Sequence, residues 1–417
     1  MNLLLPIVLA IAPLVSAQQH AACFAPYQNG VQPAPDTREG LYGGQQEFSL
    51  ALLNAINKIM PKENLFFSPY STYHALLIAY FMAGGQTEAY LRKVLRLSET
   101  RRKSDIYTAY KLDKYMTKFI ANSAPYEFTS ANKIYVSNET EVRECVKNDF
   151  PEELESFPFK VDPEGSRLAI NNWVENTTHH MITDLLPPGT IDPTTSLVLV
   201  NAAYFKGIWE NKFNPNLTKP EIFYVSPTKQ IMVDMMHVEG TFRHDISEAL
   251  GAHILELPYQ GDNISMFILL PPFSNTEDSI DATLKNLNLE NFKKVVDRDQ
   301  LISRTVQVAL PKFSLETTIE LVPVLEKLGV GDLFQSTANL TDLIENGELS
   351  LGNALHKSKI EVTEEGTKAA SATVLFSFRS SRPAEPAVFN CNHPFIYFVF
   401  DKLRDAMLFG GVFRRPH

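Results

Sequence analysis

The 417-residue chain contains few groups spaced for catalysis. It has no GxSxG elbow for an activated serine, no GxxxxGK[ST] phosphate loop, no HExxH zinc pair and no GxGxxG dinucleotide turn. His179 and His180 are adjacent, so on a helix they diverge by about 100° and cannot hold one metal together. Glu364 and Glu365 form a carboxylate pair, but charged side chains crowd most protein surfaces. Cys23, Cys145 and Cys391 allow at most one disulfide and include no CxxC zinc pair. No catalytic residue, cofactor or metal is expected.

The informative chemistry lies in the run 361–383, EVTEEGTKAASATVLFSFRSSRP. Glu364 and Glu365 are followed by Gly366, then by Thr367, Ala369, Ala370, Ser371, Ala372 and Thr373, with Lys368 the one charge among them. An ordinary loop carries more polar turn formers. Small side chains suit a segment that must slide between two strands of a formed sheet. This composition is that of a strand held out as a loop.

The surrounding elements must supply that sheet. Ser358 to Val362 reads as a strand before the loop, and Phe395–Phe400 and Ala406–Phe413 as strands after it. Ser196 to Phe205 is almost wholly apolar, as a strand buried on both faces should be. Ile254–Leu257, Ile264–Leu270 and Thr305–Leu310 are further strands. Earlier in the chain, Phe48, Leu50, Leu52, Leu53, Ile56 and Ile59 recur at helical spacing from Gln45. Ser71–Met82 and Leu168–Asp184 are the other clear helices. Helices come early, strands late, and no linker divides them, which predicts one large α+β domain.

Several motifs together resemble one family. The stretch from His356 and Lys357 through Glu361, Glu364, Glu365, Gly366, Thr367, Ala369, Ala370, Ala372 and Thr373 is similar to the hinge of the serpins, the serine-protease-inhibitor superfamily. Asn64 to Ser71 (NLFFSPYS), Asn201 to Trp209 (NAAYFKGIW), Leu310 to Phe313 (LPKF), Leu328-Gly329, Asn392 to Phe395 (NHPF) and Phe409 to Val412 (FGGV) match in the same order. The resemblance covers about residues 45–416. It implies three β-sheets, eight or nine helices and an exposed reactive-centre loop at about 364–388.

The resemblance also implies a mechanism. A protease attacks the loop and forms an acyl-enzyme through its serine. The cut loop then inserts into the central sheet, and the trapped enzyme is distorted before it can deacylate. Ser68, Ser71, Asn201 and His356 fall at the positions of the family's shutter, a polar network over the central strands. Trp209 falls at its breach, where insertion begins. Family loop length would put the scissile bond at Ser380-Ser381. Chemistry prefers Arg379-Ser380, because Arg379 can pair bidentately with the buried acid of a trypsin-like pocket. Arg382 is disfavoured by Pro383. The expected partner is a trypsin-like serine protease held in a covalent complex. The loop is similar to those of insect haemolymph serpins that restrain clip-domain proteases of innate immunity and melanisation. The competing reading is a non-inhibitory carrier, storage protein or chaperone. Those members tend to have bulky or charged hinges, whereas this one is mostly small, with Lys368 standing where inhibitory members commonly carry Glu.

Composition limits the partners further. Lys and Arg total 38 against 48 Asp and Glu, a net charge of −10, which argues against nucleic acid. Residues 88–118 nevertheless hold nine cations against four acids. That local excess allows weak glycosaminoglycan binding. Leu3 to Val15 is apolar, too short to span a bilayer, and ends in Val15-Ser16-Ala17. Residues 1–17 therefore read as a signal peptide, 18–44 as a flexible tail and 45–417 as the serpin-like domain. Asn138, Asn176, Asn216, Asn263 and Asn339 begin sequons, consistent with a secreted, extracellular glycoprotein. A monomer without membrane partners is expected.

Overall fold

Every residue from Pro69 to Met82 is buried, because this helix is apolar on all sides and lies behind the central sheet. Ser68 caps it by accepting the Ser71 backbone N–H. The computed structural model describes residues 23–24, 37–121, 124–273, 279–345, 349–366 and 385–416. The reactive bond Arg379-Ser380 and the hinge residues Thr367, Lys368, Ala369, Ala370, Ser371, Ala372 and Thr373 lie outside the described residues.

The described helices are α1 (Thr37–Ile59), α2 (Pro69–Met82), α3 (Gly85–Val94), α4 (Lys103–Ala121), α5 (Glu144–Asp149), α6 (Pro163–Thr177), α7 (Ser279–Asn286), α8 (Leu289–Val296) and α9 (Leu321–Leu328). The strands are β1 (Leu65–Phe67), β2 (Tyr126–Ser137), β3 (Leu154–Phe157), β4 (Leu197–Gly207), β5 (Lys219–Ser226), β6 (Lys229–Ser247), β7 (Ala252–Pro258), β8 (Ile264–Leu270), β9 (Ser303–Pro311), β10 (Phe313–Glu320), β11 (Asn353–Val362), β12 (Ala387–Asn390), β13 (Phe395–Asp401) and β14 (Ala406–Phe413).

Five strands form the central sheet in the order β10-β11-β4-β2-β3. Within it β4 and β11 are parallel neighbours, Asn201 facing His356 across the ladder. Ile170 and Val174 of α6 pack on one face with Val198, Val200, Ala202, Tyr204 and Leu355. The opposite face, toward α2, carries Asn201, His356 and Ser358.

The other strands make one network of nine rather than two separate sheets. The reason is β6. Its first residues pair with β5, Met235–Arg243 pair with β9, and Arg243–Ser247 pair with β7. One 19-residue strand thus runs through both layers and joins them. The expectation of three sheets becomes two hydrogen-bonded sets.

Two local expectations are corrected. The first helix begins at Thr37, inside the stretch read as a tail, and Cys23 bonds to Cys145 while Phe24 packs against Phe81, Tyr107 and Phe150. The helix expected at Leu168–Asp184 instead runs Pro163–Thr177, started by Asp162 accepting the Gly165 N–H. His179 and His180 lie beyond its end with φ of 51° and 62°, beside Glu127 and Glu175 respectively.

Candidate functional site

Of the other three expected shutter residues, Ser68 and Asn201 bond His356 directly and Ser71 joins through Asn201. Its Nε2 accepts the Ser68 backbone N–H at 2.8 Å, and its Nδ1 donates to Asn201 Oδ1. Asn201 Nδ2 donates to Ser71 Oγ at 2.7 Å and to Asn132 Oδ1. Ser68 Oγ donates to the Leu408 carbonyl at 2.7 Å, tying the network to β14. His356 is fully buried, and that burial pushes its pKa down to about 3. The ring is neutral, and this tautomer satisfies one acceptor and one donor.

Three members escaped the sequence reading. Thr72 donates to Asn201 Oδ1, Ser130 to Ser71 Oγ at 2.9 Å, and Asn132 to Ser130 Oγ at 3.0 Å. Ser130 and Asn132 lie on β2, a strand too mixed in polarity to read from its pattern. Their side chains extend the network across β2, β4 and β11, so parting β4 from β11 must break its hydrogen bonds.

The expected hinge begins at the end of that same pair of strands. Thr363 and Gly366 exchange backbone hydrogen bonds across Glu364 and Glu365, turning the chain back on itself. Gly366 has φ +95°, and a Cβ there would lie 2.4 Å from the Gly207 carbonyl. Only glycine fits such a close approach. Gly366 also forms an antiparallel bridge to Ile208 just beyond β4. Trp209 Nε1 donates to the Thr363 carbonyl at 2.9 Å, and its backbone N–H to Glu365 at 3.1 Å. The Trp209 ring stacks on Tyr259, centroids 4.3 Å apart. Glu364 is buried, which opposes ionisation, but hydrogen bonds from Lys312 and Thr218 outweigh this and hold its carboxyl below the usual range.

A scan against family models matches residues 43–416 to the serpin, or serine protease inhibitor, family. The chain is a serpin. It is 42% identical to serine protease inhibitor 88Ea of Drosophila melanogaster, over 93% of this chain and 94% of that one. It is 35% identical to the leukocyte elastase inhibitor of Sus scrofa, covering 91% and 100%. Among solved structures, a highly specific serpin of Tenebrio molitor superposes with TM-score 0.76 at 29% identity, over 93% of this serpin and 100% of that chain. The α+β serpin architecture expected from the motifs is therefore established.

Other expected sites have plainer surroundings. Asn138, Asn176 and Asn216 are exposed, while Asn263 and Asn339 are half-buried. Asn339 Oδ1 accepts from both the backbone and the hydroxyl of Thr341. At least six of the nine cations in 88–118 sit in ion pairs: Arg92 with Glu88, Arg96 with Glu47, Arg102 with Asp105, Lys103 with Asp342, and Lys114 and Lys118 with Glu152. Acids from elsewhere in the fold offset the local excess, so the case for a glycosaminoglycan partner is weaker than the sequence suggested.

Proposed function

We propose that this serpin is a secreted suicide-substrate inhibitor of an extracellular trypsin-like protease, cut at Arg379-Ser380. The observation that carries this reading is register. Continuing the Ile208–Gly366 bridge antiparallel along β4 would set Thr373 opposite Asn201. Continuing the Thr363–Gly366 bridge along β11 would set the same Thr373 opposite His356. Asn201 and His356 already face one another, so a single inserted strand satisfies both neighbours without a slip.

That register also assigns faces, because directly opposed residues share a side of a sheet. Thr367, Ala369, Ser371 and Thr373 would join the side of Val362, Ile360, Ser358 and His356, which is buried. Lys368 would lie between Lys206 and Glu361 on the opposite face, both partly exposed. The one charge in the hinge therefore avoids the cost of a buried ammonium. Secretion is supported by the Cys23–Cys145 bridge, since disulfides persist in oxidising compartments. The clip-domain protease of an immune or melanisation cascade remains the proposed target class.

Incubation with trypsin should give a complex that survives denaturing electrophoresis, with a released peptide starting at Ser380. A chain that is cut but never trapped would refute inhibition, and a peptide starting at Ser381 would move the bond.

A further inference from the structure

Among the described buried histidines, His244 has no hydrogen-bond partner on either ring nitrogen. It lies on β6 and is only 3% exposed. Buried polar atoms are nearly always paired, and an unpaired one needs an explanation. One ring neighbour is Phe389 of β12, edge-on with centroids 5.7 Å apart. The other is His253 of β7 at 5.8 Å. Asn390 Oδ1, also on β12, is likewise buried without a partner.

The strand packed over this histidine is lightly secured. Among the described residues β12 has four residues, pairs with β9 alone and ends the strand order. Val388 is 64% exposed, so Phe389, 1% exposed, is its main apolar anchor. β12 also follows segment 367–384 directly, and so holds the far end of the proposed reactive loop.

We propose that His244 is an acid-sensitive catch for β12: neutral, it lets Phe389 seat; protonated, it favours release of the strand. The charged groups around it give a protonated ring little relief. Arg304 on β9 and His253 on β7 both oppose a positive charge, Asp245 beside it favours one, and Ala387, Val388, Phe389 and Asn390 contribute none. Burial, with those two neighbours, lowers its pKa from 6.5 to about 4. For a base so depressed, the seated state is fully favoured above about pH 6.5 and loses ground as pH falls toward 4. Complete relief on opening would raise the open population about thirtyfold at pH 5 relative to pH 7.5. Releasing β12 would slacken the loop from its far end, so acid should shorten the life of the active form. This catch does not depend on the protease reading, because β12 can be followed without any protease.

The test is hydrogen exchange by mass spectrometry on the full chain, following peptides covering Val388–Asn390 at pH 7.5 and 5.0, corrected for intrinsic rates. The expected result is a rise in opening of about thirtyfold at pH 5, reduced to less than about threefold in His244→Leu. An equal rise in His244→Leu, or none in the unaltered chain, overturns the proposal. Should His244→Leu fail to fold, NMR titration of the unaltered protein decides. A His244 ring titrating near pH 6.5 would refute the catch, and one titrating near 4 would support it.

Discussion

The imidazole of His356 accepts the backbone N–H of Ser68 at 2.8 Å, joining β11 to the cap of α2, a helix buried at every residue. A polar side chain at the centre of an apolar sheet thereby holds two layers in one arrangement. The same group faces Asn201 within the parallel β4–β11 ladder. Whatever opens this sheet must first part that pair.

Replacing His356 with Leu should leave the Ser68 N–H and the Asn201 amide oxygen short of a partner in a dry site. Each orphaned group costs about 1–3 kcal/mol. Differential scanning calorimetry is expected to record a lower and scan-rate-dependent Tm. An unchanged transition would mean that the network contributes nothing to the barrier.

Acid should weaken the same contact. Burial holds the His356 pKa at about 3, against 6.5 for a free ring. The unfolded chain therefore binds the proton first, and the stabilisation present above pH 6.5 is lost progressively as pH falls toward 3. Unfolding rates measured from pH 7 to 4 should rise more steeply in the unaltered chain than in His356→Leu. Parallel slopes would refute this assignment.

The register in the proposed inserted state separates two neighbours in sequence. Ser371→Arg would place a guanidinium on the buried side next to Ser358, where an unpaired charge costs several kcal/mol. Lys368→Glu would stay on the partly exposed face. With trypsin, the first variant should be consumed as substrate while the second still forms covalent complex, read by stoichiometry titration. Equal behaviour of the two would displace the register.

Gly366→Ala should disturb the hinge turn, since the added Cβ meets the Gly207 carbonyl at 2.4 Å and the backbone has φ +95°. Strain of about 1–3 kcal/mol is expected. Intrinsic fluorescence of Trp209, whose backbone N–H bonds Glu365 within the same turn, should report the displacement. A native spectrum and an unchanged Tm would show that the turn relaxes freely.

Cys145→Ser should free the Cys23 end of the chain. The bridge spans 122 residues of sequence, for which loop entropy gives a stabilisation of up to about 5 kcal/mol. Thermal unfolding with and without reductant should show the unaltered protein falling to the level of the variant.

Much of the fold follows from local pattern. The apolar run at β4 and the densely apolar helix read at Ser71–Met82 state their burial through composition and spacing. Local pattern misled where a long contact overrode it. Thr37 to Gly44 lacks a clear apolar period yet is helical, with Leu41 and Tyr42 buried against the body. The joining of strands through β6 is set by three different partners along one strand, which no single-strand pattern records. Ser130 and Asn132 join the polar network around Asn201 only because β2 pairs with β4 and sets Asn132 opposite Asn201. The residue types carry the chemistry of this protein. Which polar groups meet across strands, and which histidine is left without a partner, is decided by pairing between segments hundreds of residues apart, where burial makes every unmatched hydrogen bond costly.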